Sequence, residues 1–208
     1  MKHGELIGII DYGMGNLRSV SKAIEHLGGR VYVGEDPKKL SQANKLILPG
    51  VGAFGDAMRE LKKRRLITLI HKAIEHNKPF LGICLGLQLL FERSTESKAV
   101  QGLGIWKGNV VRFNPMKRPL LKIPHMGWNQ VHFEKQTPLV KRVRNKSYFY
   151  FVHSYYAQPK DESLIVGQTD YGTKFPSVLA CENVFAVQFH PEKSQSAGLQ
   201  IIKNFIRL

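Results

Sequence analysis

Cysteine is scarce in this chain. Its 208 residues include two, Cys84 and Cys181, with no C-x-x-C pair. Neither a disulfide framework nor a thiolate metal site is therefore expected. Long apolar runs are missing too. The stretch 6–10 is too short for the apolar region of a secretion signal. Nothing approaches the ~20 apolar residues that a membrane-spanning helix requires. The expectation is a soluble, cytoplasmic protein with no membrane partner, metal or cofactor.

Acidic residues are in short supply, 16 Asp plus Glu against 31 Lys plus Arg, for a net charge of +15. Such a balance suggests nucleic acid. However, the cations come in clusters, Lys62-Lys63-Arg64-Arg65, Lys117-Arg118 and Lys141-Arg142-Val143-Arg144, and no helix-turn-helix, RNA-binding aromatic motif or zinc finger accompanies them. They read as solvated faces, able to steer anionic metabolites or an acidic partner surface. No nucleic-acid partner is expected. Repeats, linkers and low-complexity stretches are also missing, and 43% hydrophobic residues can fill the core of one domain over residues 1–208.

What the chain does have is a strand–helix rhythm. Residues 6–10 read as a buried strand and 11–16 as a turn. Asn16 is placed to cap a helix with apolar positions at Leu17, Val20, Ile24 and Leu27, ended by Gly28-Gly29. Strands follow at 31–33 and 45–48, the latter running into Pro49-Gly50-Val51-Gly52. Then come a helix from about 56 to 76, a strand at 79–83, and a helix starting over 85–91. That alternation predicts an α/β fold with a mostly parallel central sheet covered by helices on both faces. After about Gly102 the rhythm changes. Segments 109–113, 128–133, 147–152, 164–169 and 184–189 read as strands without long helices between them. This predicts antiparallel strands added to the sheet in the C-terminal half, closed by a helix over 197–206.

Gly82-Ile83-Cys84-Leu85-Gly86 falls where a strand turns into a helix. It has the form of a nucleophile elbow with Cys in place of Ser. A sharp turn projects the nucleophile above the sheet and forces its flanks against neighbouring backbone, so both flanks must be small. The following helix aims its N-terminus at the sulfur, which favours thiolate, and the Leu85 N–H can face an oxyanion. Phe185-Ala186-Val187-Gln188-Phe189 then ends in His190-Pro191-Glu192. A histidine at a strand end with a carboxylate two residues on suits a general base and the group that orients it. His71 and His76, on a Lys-rich helix, have no such context.

These two anchors make the sequence resemble the class I, or triad-type, glutamine amidotransferases. Further resembling segments are Asp11-Tyr12-Gly13-Met14-Gly15-Asn16-Leu17, Pro49-Gly50-Val51-Gly52-Ala53-Phe54, Pro124-His125-Met126-Gly127-Trp128-Asn129, Tyr150-Phe151-Val152-His153-Ser154-Tyr155-Tyr156 and Gln188-Phe189-His190-Pro191-Glu192-Lys193-Ser194-Gln195. They span nearly the whole chain, in family order. The resemblance implies the family's three-layer fold and a Cys84–His190–Glu192 triad that releases ammonia from glutamine through a Cys84 thioester. It implies oxyanion donors at Leu85 and in the Val51-Gly52 segment. It also implies a glutamine pocket formed by Gly50, Gly52, Gln88, Glu96 and the His153-Ser154-Tyr155 run.

The resemblance further implies a partner, a (β/α)8-barrel cyclase held as a heterodimer. The cyclase uses the ammonia to make imidazole glycerol phosphate and an aminoimidazole carboxamide ribonucleotide in histidine biosynthesis. Asn16, Met126 and Trp128, the last two on a 124–129 loop, are candidates for the contact. The +15 charge is not explained by the family pattern. Three alternatives stand beside this reading. They are the same chemistry feeding an amidino-sugar synthase, a nucleic-acid-binding protein on an inactive amidotransferase fold, and a cysteine peptidase.

Overall fold

Strands built almost entirely from Ile, Leu, Val, Phe and Gly bury both their faces, which calls for helices above and below them. The computed structural model of the protein describes residues 5–114 and 122–208, so the Lys117-Arg118 cluster lies outside the described residues. In chain order the elements are β1 (Leu6–Ile10), α1 (Leu17–His26), β2 (Arg30–Gly34), α2 (Pro37–Ser41), β3 (Lys45–Gly50), α3 (Phe54–Lys63), α4 (Leu66–Glu75), β4 (Phe80–Cys84) and α5 (Leu85–Leu89). Then follow β5 (Phe91–Ser94), β6 (Trp106–Arg112), β7 (His125–Phe133), β8 (Ser147–His153), β9 (Tyr155–Pro159), β10 (Ile165–Asp170), β11 (Lys174–Cys181), β12 (Val184–Val187) and α6 (Gln195–Ile206).

A nine-stranded sheet runs β2-β1-β3-β4-β12-β11-β10-β7-β8. Its first five strands are parallel and the remaining pairings antiparallel. A smaller sheet, β5-β6-β9, stands apart. Alternation along the central strands builds two cores. Ile10, Leu46, Leu48, Phe80 and Ala186 face one cluster, with α3 and α4 packed on it; Ile7, Ile9, Ile47, Leu81, Ile83 and Phe185 face the other, under α1 and α6. The result is the expected three layers. Among the described residues no helix is long and apolar enough to cross a membrane.

Several expectations are corrected. The helix foreseen over 56–76 is two helices. The apolar stripe Phe54, Ala57, Met58, Leu61 would continue onto Arg64 or Arg65, Thr68 and Lys72, whereas the second stripe is Leu66, Leu69, Ile70, Ala73. The chain re-phases between them by placing Arg65 in the left-handed region, φ 58° and ψ 28°. Arg64 holds this corner through ion pairs with Glu35 and with Glu60, the latter at 2.9 Å, so the basic cluster is not wholly a solvated face. The helix after Cys84 stops at Leu89, and Phe91 enters β5. Asn16 precedes α1 but makes no side-chain capping bond. The 124–129 segment is not a loop but chiefly the start of β7. Strand β12 is not an added antiparallel strand, since it pairs parallel with β4.

The left-handed corner yields an expected outcome. Arg65→Gly should hold or raise stability by up to about 1 kcal/mol, because a left-handed residue with a Cβ costs roughly that much. Arg65→Val should lower it by about 1–2 kcal/mol, since β-branching makes this conformation worse. Urea midpoints of the two variants check the order; equal midpoints would contradict the role given to this corner.

Candidate active site

Open α/β sheets present ligand sites at the carboxyl ends of their parallel strands. Here β4 lies between β3 and β12, with Gly50 opposite Cys84 and Val187 opposite Ile83 in register. The strand ends thus deliver the 50–52 segment, Cys84 and the 188–192 segment to one edge. Cys84 itself has φ 55° and ψ −107°, a conformation that a non-glycine residue adopts only under constraint. The constraint is visible at its flanks. A Cβ on Gly86 would stand 1.8 Å from the Leu48 carbonyl oxygen, and one on Gly82 would stand 2.8 Å from that of Gly86. The elbow foreseen in the sequence is present, and α5 starts directly at Leu85 with its first-turn N–H groups free of intrahelical partners.

His190 leaves β12 over the sheet edge. Its backbone N–H donates to the Tyr150 carbonyl at 2.9 Å. The Ser194 hydroxyl donates to the His190 carbonyl at 2.6 Å and accepts from the Tyr150 N–H at 2.9 Å. The imidazole lies 2.9 Å, Nδ1 to Oε1, from Glu192, and both side chains are buried. A carboxylate only accepts, so Nδ1 carries the hydrogen and Nε2 is left to exchange protons. That Nε2 is buried without a hydrogen-bond partner, as is Glu192 Oε2. Burial opposes protonation of His190, but the nearby Cys84 sulfur and the Glu192 carboxylate outweigh it and raise its pKa. The imidazole is thus biased towards its protonated form beside Cys84, and contacts in such sites tighten when substrate binds.

Beside Cys84 opens a cavity of about 370 Å³, at the small end of ligand sites. Val51, Gly52, Cys84, Leu85, Gln88, Glu96, His153, Ser154 and Tyr155 line it, together with Pro124 and Val152. Nine residues from separate parts of the sequence reading are thus brought together. Gly50, His190 and Glu192 stand behind this wall. Gly50 is there for close approach, because a Cβ on it would meet the Tyr12 hydroxyl at 2.2 Å and Leu85 Cβ at 3.0 Å. Glu96 is not merely solvated. Its Oε2 accepts the Phe54 N–H at 2.7 Å, so the first N–H of α3 pins a carboxylate at the cavity wall. Among the described residues no cluster of His, Cys, Asp and Glu could hold a metal ion.

The sequence reading missed Gln188, which is fully buried with Nε2 3.8 Å from Cys84 Sγ. A lone amide inside the apolar run Phe185 to Phe189 was the available signal. It also missed Tyr12, whose buried hydroxyl has no partner and whose pKa burial pushes up. Away from the cavity floor, Met126 and Trp128 are 63% and 47% exposed on the outer face of β7. Asn16 is half-buried at the end of the turn whose Met14 and Gly15 lie against the 50–52 segment.

A family model described as Glutamine amidotransferase class-I matches residues 8–208. With the three-layer sheet and the cysteine elbow, this places the chain in the class I glutamine amidotransferase family. The chain is 53% identical to the imidazole glycerol phosphate synthase subunit HisH of Methanocaldococcus jannaschii, over 98% of this chain and 100% of that one. It is likewise 53% identical to the HisH subunit of Aquifex aeolicus, over 96% and 95%. Among solved structures, one described as a glutamine amidotransferase superposes with a TM-score of 0.75 at 16% identity, covering 97% and 99%. The structure of PurLQS from Thermotoga maritima superposes at 0.74 with 20% identity, covering 98% of both.

Two buried histidines, His153 in the cavity wall and His125 bonded to it, predict a pH dependence of stability. Burial lowers the pKa of His125 to about 4 and that of His153 to about 3. On acidification the unfolded chain takes up these protons first. Their contribution to stability is therefore full above pH ~6.5 and falls as pH drops towards ~4, by on the order of 3 kcal/mol for His125 alone. His190 runs the other way: its raised pKa favours the fold increasingly as pH falls through ~6.5, and well below that it is protonated in both states and offsets nothing further. Urea titrations between pH 7 and 4 check this, and His125→Phe should flatten the slope.

Proposed function

We propose that this chain is the glutaminase subunit of an imidazole glycerol phosphate synthase. The observation that carries the reading is the meeting of Cys84, Gln88 and the pinned carboxylate of Glu96 around one cavity. It has a nucleophile at one end and an anion for an α-ammonium group in its wall. Relatives named for that subunit match this chain along nearly all of both sequences, which favours it over an amidino-sugar synthase.

In this reading the Cys84 thiolate attacks the side-chain amide carbon of glutamine. The oxyanion that forms is met by the Leu85 N–H and by an N–H of the Val51-Gly52 segment. His190 gives its proton to the departing ammonia, and then, as a base, activates the water that hydrolyses the thioester. Glu192 holds the imidazole in the one tautomer that allows both steps. Gln88, both of whose amide hydrogens are already bonded, offers its carbonyl oxygen to the substrate. Gly50 and Gly52 admit the ligand close to the backbone, and the His153-Ser154-Tyr155 run closes the far side.

The partner in this reading is a (β/α)8-barrel cyclase bound as a heterodimer in the cytoplasm, with residues 1–208 acting as one glutaminase unit. Met126 and Trp128 on β7 are large, exposed and apolar, as interface anchors are. Val51 at the cavity wall is exposed as well. Asn16 is assigned to the same contact, at the end of the turn that lies against the 50–52 segment. No cofactor or nucleic acid enters the reaction.

Two sets of outcomes test the reading. Cys84→Ala should fold and lose glutamine hydrolysis by at least about 1,000-fold. His190→Asn should fall to a similar depth, and Glu192→Gln less far, because it keeps a hydrogen-bonding group beside the imidazole. An active Cys84→Ala protein would end the assignment. Hydrolysis should be poor in the chain alone and rise about 5–150-fold with a cyclase and its acceptor nucleotide. Trp128→Ala should weaken the complex about 10-fold or more without unfolding the chain. Full activity in the isolated chain, indifferent to any barrel partner, would make it a free-standing glutaminase.

A further inference from the structure

The polar lining of the cavity continues into the protein behind it. Gln88 Nε2 and His153 Nδ1 both donate to the Tyr155 backbone oxygen, each at 2.9 Å. A carbonyl oxygen only accepts, so this one atom fixes the polarity of everything bonded to it. On the Gln88 side, the second amide hydrogen goes to Gln188 Oε1 at 3.2 Å, which turns Gln188 Nε2 towards Cys84 Sγ at 3.8 Å. On the His153 side, a hydrogen on Nδ1 leaves Nε2 as an acceptor in the neutral ring. Its partner at 3.0 Å, His125 Nδ1, must then be an N–H. His125 Nε2 accepts from Asn129 Nδ2 at 3.2 Å, and that amide donates its other hydrogen to the Asp170 carbonyl at 2.9 Å. Donors and acceptors match from end to end with no hydrogen in excess.

We propose that this chain of hydrogen bonds is a positioning network, in which Asn129, His125 and His153 hold the Tyr155 carbonyl, and through it the Gln88 and Gln188 amides, so that the Gln188 N–H faces the Cys84 sulfur. The inference rests on the glutaminase reading, since it gives Cys84 a thiolate to stabilise. The sulfur has a different neighbour for each protonation state. The Val152 carbonyl, at 3.9 Å, can serve only the thiol hydrogen, whereas the Gln188 N–H favours the thiolate. Gln188 touches the reacting atom; His125 acts through others.

Packing does not by itself call for this arrangement. His125 stacks on Tyr171 and Phe151, with ring centroids 4.0 and 4.8 Å away, in surroundings that a phenyl ring would fill as well. Gln88, Gln188, His125 and His153 are each at most 6% exposed, so each unpaired donor or acceptor among them would be costly. Burial keeps both imidazoles neutral, the only state in which the chain closes.

The test uses the full chain carrying Cys181→Ser, which leaves Cys84 as its one thiol. The rate of Cys84 alkylation by iodoacetamide is followed against pH, alongside glutamine hydrolysis and thermal melting. Gln188→Met, similar in size but without a donor, should move the alkylation profile up by about one pH unit. His125→Asn sets an amide N–H where Nδ1 stood, so it should keep Cys84 reactivity near that of the parent. His125→Phe should lose reactivity while melting no lower than His125→Asn. A packing role predicts that reactivity and melting follow one order, and that result overturns the network. So does a Cys84 profile unmoved by Gln188→Met, which decides alone if His125→Phe does not fold. A parent that hydrolyses no glutamine with or without a cyclase refutes the glutaminase reading, and the alkylation profiles still decide the network.

Discussion

The backbone at Gly86 presses so closely on the Leu48 carbonyl that the smallest side chain would collide with it. That contact fixes the start of α5 against β3, and the rest of the site follows from it. Leu85 is brought beside Gly50, so the donors proposed for the oxyanion converge from two strands. Cys84, caught between Gly82 and Gly86, takes up a positive φ that costs on the order of 1–3 kcal/mol and persists only because the surrounding structure over-determines it. The fully buried strands β3 and β4 supply that rigidity. A side chain held this way has one orientation.

The proposed base is held by different means. His190 sits beyond the end of β12, where ladder hydrogen bonds have stopped, and its position depends on Tyr150 and Ser194. Its charge depends on burial set against two anions. The site therefore joins a rigid Cys84 from the parallel half of the sheet to a His190 secured from the antiparallel half. The cavity beside them is lined by Gln88, Glu96 and residues 152–155, among others.

Much of this was legible in the sequence because it is carried by side-chain identity and spacing. Gly82, Gly86 and the His190–Glu192 step announce their geometry, and the apolar runs of β1, β3 and β4 announce a covered parallel sheet. The phase slip between Leu61 and Leu66 was also present in the pattern and was read over. Other features had no such mark. Strand β11 contains Pro176, which argues against a strand, yet Pro176 falls where β11 pairs with β10 alone. Strand β9 has one fully buried residue in five and so no clear period. The network through Tyr155 turns on a backbone carbonyl, which every residue has and no letter of the sequence records.

The order of strands in the sheet also differs from their order in the chain. Strand β4 ends at Cys84, but its neighbour β12 begins only at Val184, about a hundred residues later. At typical rates of synthesis this leaves an apolar strand edge open for on the order of 5–20 s. The intervening strands cannot close the gap, since β11, β10, β7 and β8 join the sheet through β12. A nascent chain therefore holds its thiol on an unfinished edge, prone to stick to other chains and without His190 beside it. The arrival of one four-residue strand seals the edge and brings in His190 together, so the growing polypeptide closes its sheet and completes its candidate site in a single late event.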